Sequence, residues 1–103
     1  MADPMRIRAQ IQGGKTVVRV LMSHEMETGQ RKDASGQLVP AHFIQRVTAT
    51  HDGKPVLAAQ WGTAVAKNPY LQFSFAGGKP GDTVEVTWTD NKGDKRTDSA
   101  KIA

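Results

Sequence analysis

The chain carries three histidines, His24, His42 and His51, and no cysteine. Without cysteine there is no thiolate nucleophile, disulfide or thiolate metal site, and any thiol chemistry must come from a partner. His24-Glu25-Met26-Glu27-Thr28 opens like the zinc-protease pattern H-E-x-x-H. It ends in threonine, and that pattern needs a helix to bring both histidines to one face. Imidazoles with a carboxylate would suffice for a metal, but His51 lies most of a strand beyond His42, on the order of 25–30 Å away. His24 and His42 remain the candidate ligands of a small histidine-dependent metal-binding β-sandwich protein. Ser23 and His24 are adjacent, and on a strand neighbours point to opposite faces, so they do not make a nucleophile and its base. Gly13-Gly14-Lys15-Thr16 ends like the phosphate-binding loop G-x-x-x-x-G-K-[ST]. Ala9 stands at the first glycine, however, and no helix follows, so the segment reads as a hairpin turn.

The elements that must position these residues are short strands. In residues 6–11, Ile7, Ala9 and Ile11 alternate with Arg6, Arg8 and Gln10, the period of a half-buried strand. Residues 15–22 set Val18, Val20 and Met22 against Val17, Arg19 and Leu21; a strand apolar on both faces is central to a core or covered by a partner. Alternation resumes over 41–51, opposing Phe43, Val47 and Ala49 to Ile44, Arg46, Thr48 and Thr50, and Asp52-Gly53 marks a hairpin into 54–61. Residues 62–69 form a crossover. Strands follow over 70–76, 82–90 and 95–102, the last charged as suits a sheet edge. Seven antiparallel strands with no helical period predict an all-β, immunoglobulin-like β-sandwich without a disulfide, with Trp61 or Trp88 packing its core. A small Greek-key barrel is the second choice.

Between strands two and three lies an irregular stretch, residues 23–44, holding two of the histidines and the cluster Arg31-Lys32-Asp33. Such a length without regular structure inside a compact domain points to function. Residues 33–36 carry the Asp and Gly of a type I turn, and Pro40 fits a strand entrance. At 103 residues the chain fits one domain spanning 1–103. No apolar run reaches the ~20 residues of a membrane helix. The first residues lack signal-peptide character, which on composition alone reads as cytoplasmic. The formal charge is +4, suited to acidic partners. Nucleic-acid binding would need exposed aromatics among the basic residues, and Phe73 and Phe75 share a face with Leu71 as core residues. A binding or scaffold module is what remains.

The run H-x-M-E-T-G-x-R-K-D-x-x-G-x-x-x-P-A-H-F-I, His24 to Ile44, closely resembles the SoxZ family of bacterial sulfur oxidation. Asn68-Pro69-Tyr70 with Phe73, and Trp88-x-Asp90-Asn91-x-Gly93, resemble its later landmarks; Glu25 stands where many relatives carry proline. The resemblance implies a non-catalytic subunit without cofactor that forms a heterodimer with SoxY. SoxY carries sulfur intermediates of thiosulfate oxidation on a cysteine near the end of a C-terminal arm and presents them to the Sox enzymes. It also implies a periplasmic location, reached by export together with SoxY, in place of the cytoplasmic expectation. Neither nucleic acid nor a membrane is an implied partner, and self-association is the expectation when SoxY is missing. On this reading residues 23–44 and the second strand make the partner surface. Val17, Leu21, Met26 and Phe43 would be apolar anchors, Glu27, Arg31 and Lys32 would supply register and charge, and His42 belongs to the same set.

Overall fold

The computed structural model describes residues 3–103. Seven strands follow in order: β1 (Arg6–Gln12), β2 (Lys15–Leu21), β3 (Ile44–His51), β4 (Lys54–Gln60), β5 (Tyr70–Ala76), β6 (Thr83–Asp90) and β7 (Lys95–Lys101). They form a three-stranded sheet, β1-β2-β5, and a four-stranded sheet, β4-β3-β6-β7, with every ladder antiparallel. The immunoglobulin-like β-sandwich is therefore observed, with the fourth strand paired to the third.

Alternation places Ala9, Val18, Val20, Val47, Ala49, Val84, Val86 and Trp88 between the sheets, each at most 2% exposed. β2 is the middle strand of its sheet; Val18 and Val20 face the core, while Val17 and Arg19 are half-buried on the outer face and Leu21 is exposed. At the β1–β2 turn Gly13 and Gly14 both have positive φ, 58° and 82°, the conformation that favours glycine in a two-residue hairpin. β7 closes one edge with an inward Arg96–Asp98 pair, Nη2 to Oδ1 at 2.9 Å. Inward charge on an edge strand discourages pairing with another chain.

Two sequence expectations are corrected in β3. The strand begins at Ile44, not Ala41, because residues 41–43 are held by other partners. A bulge between Ile44 and Arg46 in the β3–β6 ladder then shifts the alternation by one residue. One extra residue flips the face that everything before it presents, so Ile44 rather than Phe43 is the fully buried side chain and Phe43 only packs against the core's margin.

The irregular stretch is an antiparallel arm. Its two sides meet at the Glu27–His42 and Lys32–Leu38 bridges, and the Val39 N–H donates to the Arg31 carbonyl at 2.7 Å. The tip is the type I turn: the Gly36 N–H donates to the Asp33 carbonyl at 3.0 Å, and Asp33 Oδ1 accepts from the Ser35 and Gln37 N–H groups. Residues 30–38 are all exposed. The molecule's long axis measures 52 Å, about twice the ~26 Å of an eight-residue strand.

Candidate functional site

The arm's base holds a hydrogen-bonded network built from residues far apart in sequence. His24 leaves β2, His42 returns toward β3, and Asp90 ends β6. Asp90 Oδ2 lies 3.0 Å from His24 Nε2 and 2.7 Å from His42 Nε2. Its Oδ1 accepts the Lys92 and Asp94 N–H groups at 3.0 and 2.9 Å. The two imidazoles meet edge to face with centroids 4.5 Å apart, and His24 packs edge-on against Trp88 at 5.0 Å. His24 and Asp90 are buried.

The proton positions follow from this network. The Met26 N–H donates to His24 Nδ1 at 3.0 Å, so Nδ1 is an acceptor and the His24 proton sits on Nε2, aimed at Asp90. The Asp90 carboxylate is ionised. Burial acts to raise its pKa, but the donors from His24, His42, Asp94 and Lys92 outweigh it and hold it below the ordinary value of 3.8.

This decides the metal reading. His24, His42 and Asp90 do bring three potential ligand atoms within 4.8 Å of one another. A histidine that ligates through Nε2 must carry its proton on Nδ1, usually donated to an oxygen. Here Nδ1 faces the Met26 N–H, another donor. The donor set fits a hydrogen-bonded clamp and does not fit a metal. His51 lies in a separate cluster at the other end of the sandwich, with Nε2 2.8 Å from Asp82 Oδ2 and its ring 4.9 Å from Phe75.

Two asparagines fix the two sides of the arm where it leaves the sandwich. Asn68, at φ 52°, accepts the His24 N–H through Oδ1 at 3.1 Å, and its own N–H donates to the His24 carbonyl at 2.9 Å. Asn91 Oδ1 accepts the Phe43 N–H, and its Nδ2 donates to the Ala41 carbonyl, both at 2.8 Å. Gly29, at φ 84°, lets the two sides close: a Cβ there would stand 3.2 Å from that of Ala41.

The expected contact residues divide among several places. Met26 is 5% exposed, at φ 51°, and its sulfur accepts the Ile44 N–H at 3.4 Å. As a surface anchor it is corrected: it is a core plug, because the strained turn at the arm's base points it inward. His42 spends Nε2 on Asp90. Glu27 and Arg31 pair with each other, Nη2 to Oε2 at 2.6 Å, and Arg31 holds the Glu27 carboxyl below its usual range. Lys32 is exposed beside the arm's tip, with Leu38 59% exposed across from it. Val17 and Leu21 belong to the outer face of the other sheet and not to the arm.

Sequence reasoning proposed no role for Asp90, Asn68 or Asn91, although Asn68 and Asp90-Asn91 lie in the segments that carry the resemblance. Their signal was positional: each is a short polar residue at a strand end, where its side chain reaches backbone groups that a sheet leaves unpaired.

A family model for the sulphur oxidation protein SoxZ matches residues 5–101. A comparison with curated proteins finds no match. Among solved structures, a variant of the superoxide reductase (neelaredoxin) from Ignicoccus hospitalis is 14% identical, covering 99% of this chain and 82% of that one with a TM-score of 0.58. A variant of the superoxide reductase (neelaredoxin) from Archaeoglobus fulgidus, in the reduced form, is 16% identical, covering 97% and 86% with a TM-score of 0.59. At that identity the likeness is one of fold. With the family match running through all seven strands and through the arm, this chain belongs to the SoxZ family.

Proposed function

We propose that the protein is the non-catalytic subunit of a SoxYZ sulfur carrier: it pairs with SoxY and helps present cysteine-bound sulfur intermediates to the Sox enzymes. The family match over residues 5–101 carries this reading. Two features support it. The chain has no cysteine of its own, so the sulfur must ride on a partner. His24 and Asp90 are consumed in holding the arm, so neither of these two serves as a general base.

The arm is the surface offered to SoxY. It projects from the sandwich, it is pinned at both sides of its base, and its exposed face carries Arg31, Lys32 and Leu38. A preorganised element of this kind binds without a large ordering cost. The Arg31 charge is partly engaged by Glu27, so Lys32 contributes the less compensated charge. Copurification of the tagged chain with coexpressed SoxY is the direct test. A stable one-to-one complex is expected, and Lys32→Glu with Arg31→Glu weakens it at low salt; no complex with SoxY at any salt overturns the proposal. The same proposal has the complex working in the periplasm, with the chain exported together with SoxY. Cell fractionation with and without SoxY tests this: the chain moves to the periplasm only when SoxY is present.

A further inference from the structure

The outer face of the β1-β2-β5 sheet is positively charged with no internal compensation. The ladder registers put Arg6, Leu21 and Tyr70 in one row, and Arg8, Arg19 and Gln72 in the next. Gln10, Val17 and Ser74 follow, and then Gln12, Lys15 and Ala76. None of these outward residues is acidic. Asp3 stands only at one end, in a depression it shares with Arg6 and Leu21. Arg6, Arg8, Lys15 and Arg19 have no ion pair or side-chain hydrogen bond among the described residues. Arg8 and Arg19 are directly cross-strand, a placement of like charges that destabilises a sheet. Beside them Leu21 and Tyr70 are 43% and 58% exposed. The other sheet differs: its outer face sets Glu85 among Arg46, Lys95 and Lys101.

Uncompensated arginines around two exposed apolar side chains complement an acidic protein surface with an apolar centre. Seven residues at ~3.3 Å by three strands at ~4.8 Å give a face of about 23 by 14 Å, on the order of 300 Å². A stable interface buries about 800 Å² per partner. Charge here sets the encounter rate more than the lifetime.

We propose that this face is a transient docking surface for an acidic patch on a partner protein, separate from the arm. Given the reading above, on which this rests, the partners that fit are the Sox enzymes visited in turn. The test is the double variant Arg8→Glu, Arg19→Glu, with Arg8→Gln, Arg19→Gln as the control for folding; the glutamine pair removes a like-charge contact and raises the melting temperature. Each is copurified with SoxY, and the complexes are then followed by stopped flow against each Sox enzyme over a range of salt. The expected result is an unchanged SoxY complex, an association rate reduced at least about tenfold for one or more enzymes in the charge-reversed variant, and a flattened salt dependence. Unchanged rates with every enzyme overturn the proposal, as does loss of SoxY itself, which would make the face the permanent interface. Salt-sensitive retention of the wild type on duplex DNA that the variant loses, with enzyme rates intact, assigns the face to nucleic acid and also overturns it. A wild-type chain that fails to pair with SoxY is a different result: it removes the parent reading, and this one with it.

Discussion

Replacing Asp90 by asparagine keeps shape and volume and changes only what the side chain can accept. In the native structure the carboxylate takes four donors: both imidazole Nε2 groups and the Lys92 and Asp94 N–H groups. In the Asp90→Asn variant the amide oxygen can keep the two backbone donors, which turns the amide NH₂ toward the histidines. His42 is half-buried and adapts by moving its proton to Nδ1. His24 cannot, because its Nδ1 already accepts the Met26 N–H. One buried imidazole N–H is then stranded against another donor, and two charge-assisted bonds are lost. Each such bond contributes about 1.5–3 kcal/mol and a stranded buried donor costs about 1–3 kcal/mol. With His42 adapting, one such bond and one stranded donor remain in the sum, which is about 2.5–6 kcal/mol. That lowers the melting temperature on the order of 20 °C for a chain of this size. Urea unfolding followed by tryptophan fluorescence is the assay, since Trp88 lies against His24. A variant within about 1 kcal/mol of wild type refutes the clamp. So does a wild-type melting temperature that falls on treatment with a chelator, which would restore the metal.

Other consequences are smaller or simpler to read. Asp90 and Asp98 are held below their ordinary 3.8, Asp90 by hydrogen bonds that overcome burial and Asp98 chiefly by Arg96. Groups with depressed pKa values stabilise the fold above the unfolded value and lose that contribution as pH falls through the folded one. The melting temperature should therefore show no loss from these groups between neutrality and about pH 4 and drop below it, with the drop reduced in Asp90→Asn; a loss beginning near pH 6 contradicts this. Gly78→Ala is expected to cost more than about 2 kcal/mol, since Gly78 has φ +98° and a Cβ there collides with Thr16 Oγ1; near-native urea stability would show that the neighbourhood yields. Arg8→Gln with Arg19→Gln should stabilise by about 0.2–1 kcal/mol in thermal melts, by relieving the cross-strand pair.

Most of the fold was legible because alternation is local. Val18, Val20 and Met22, or Val84, Val86 and Trp88, declare a face within one strand. The bulge at Gln45 was not legible, since an extra residue changes register without changing composition, and it moved Ile44 into the place expected for Phe43. The site was half legible. His24 and His42 stand out by type, and the failed zinc spacing is visible in the sequence. What they bond to is not: Asp90 lies 66 residues beyond His24, and only the pairing of β3 with β6 brings it under the arm.

That pairing explains why the diagnostic residues are scattered as they are. The arm leaves one sheet and returns to the other, so neither sheet's ladder can set its direction. Hydrogen bonds at its base do so instead, one set for each side. Asn68 reads the backbone at His24 from the β4–β5 crossover, Asn91 reads residues 41 and 43 from the β6–β7 turn, and Asp90 ties the two histidines together across the gap. The three segments that carry the family resemblance therefore converge on one joint. His24 and His42 line a depression with Ser23, Glu25, Trp88 and Asp94, yet the Nε2 atoms of both turn to Asp90. Both His24 nitrogens and both Asp90 oxygens are spent inside the joint, and residues 30–38 of the arm beyond it are exposed. The chemistry in these residues fixes the direction in which the arm leaves the sandwich.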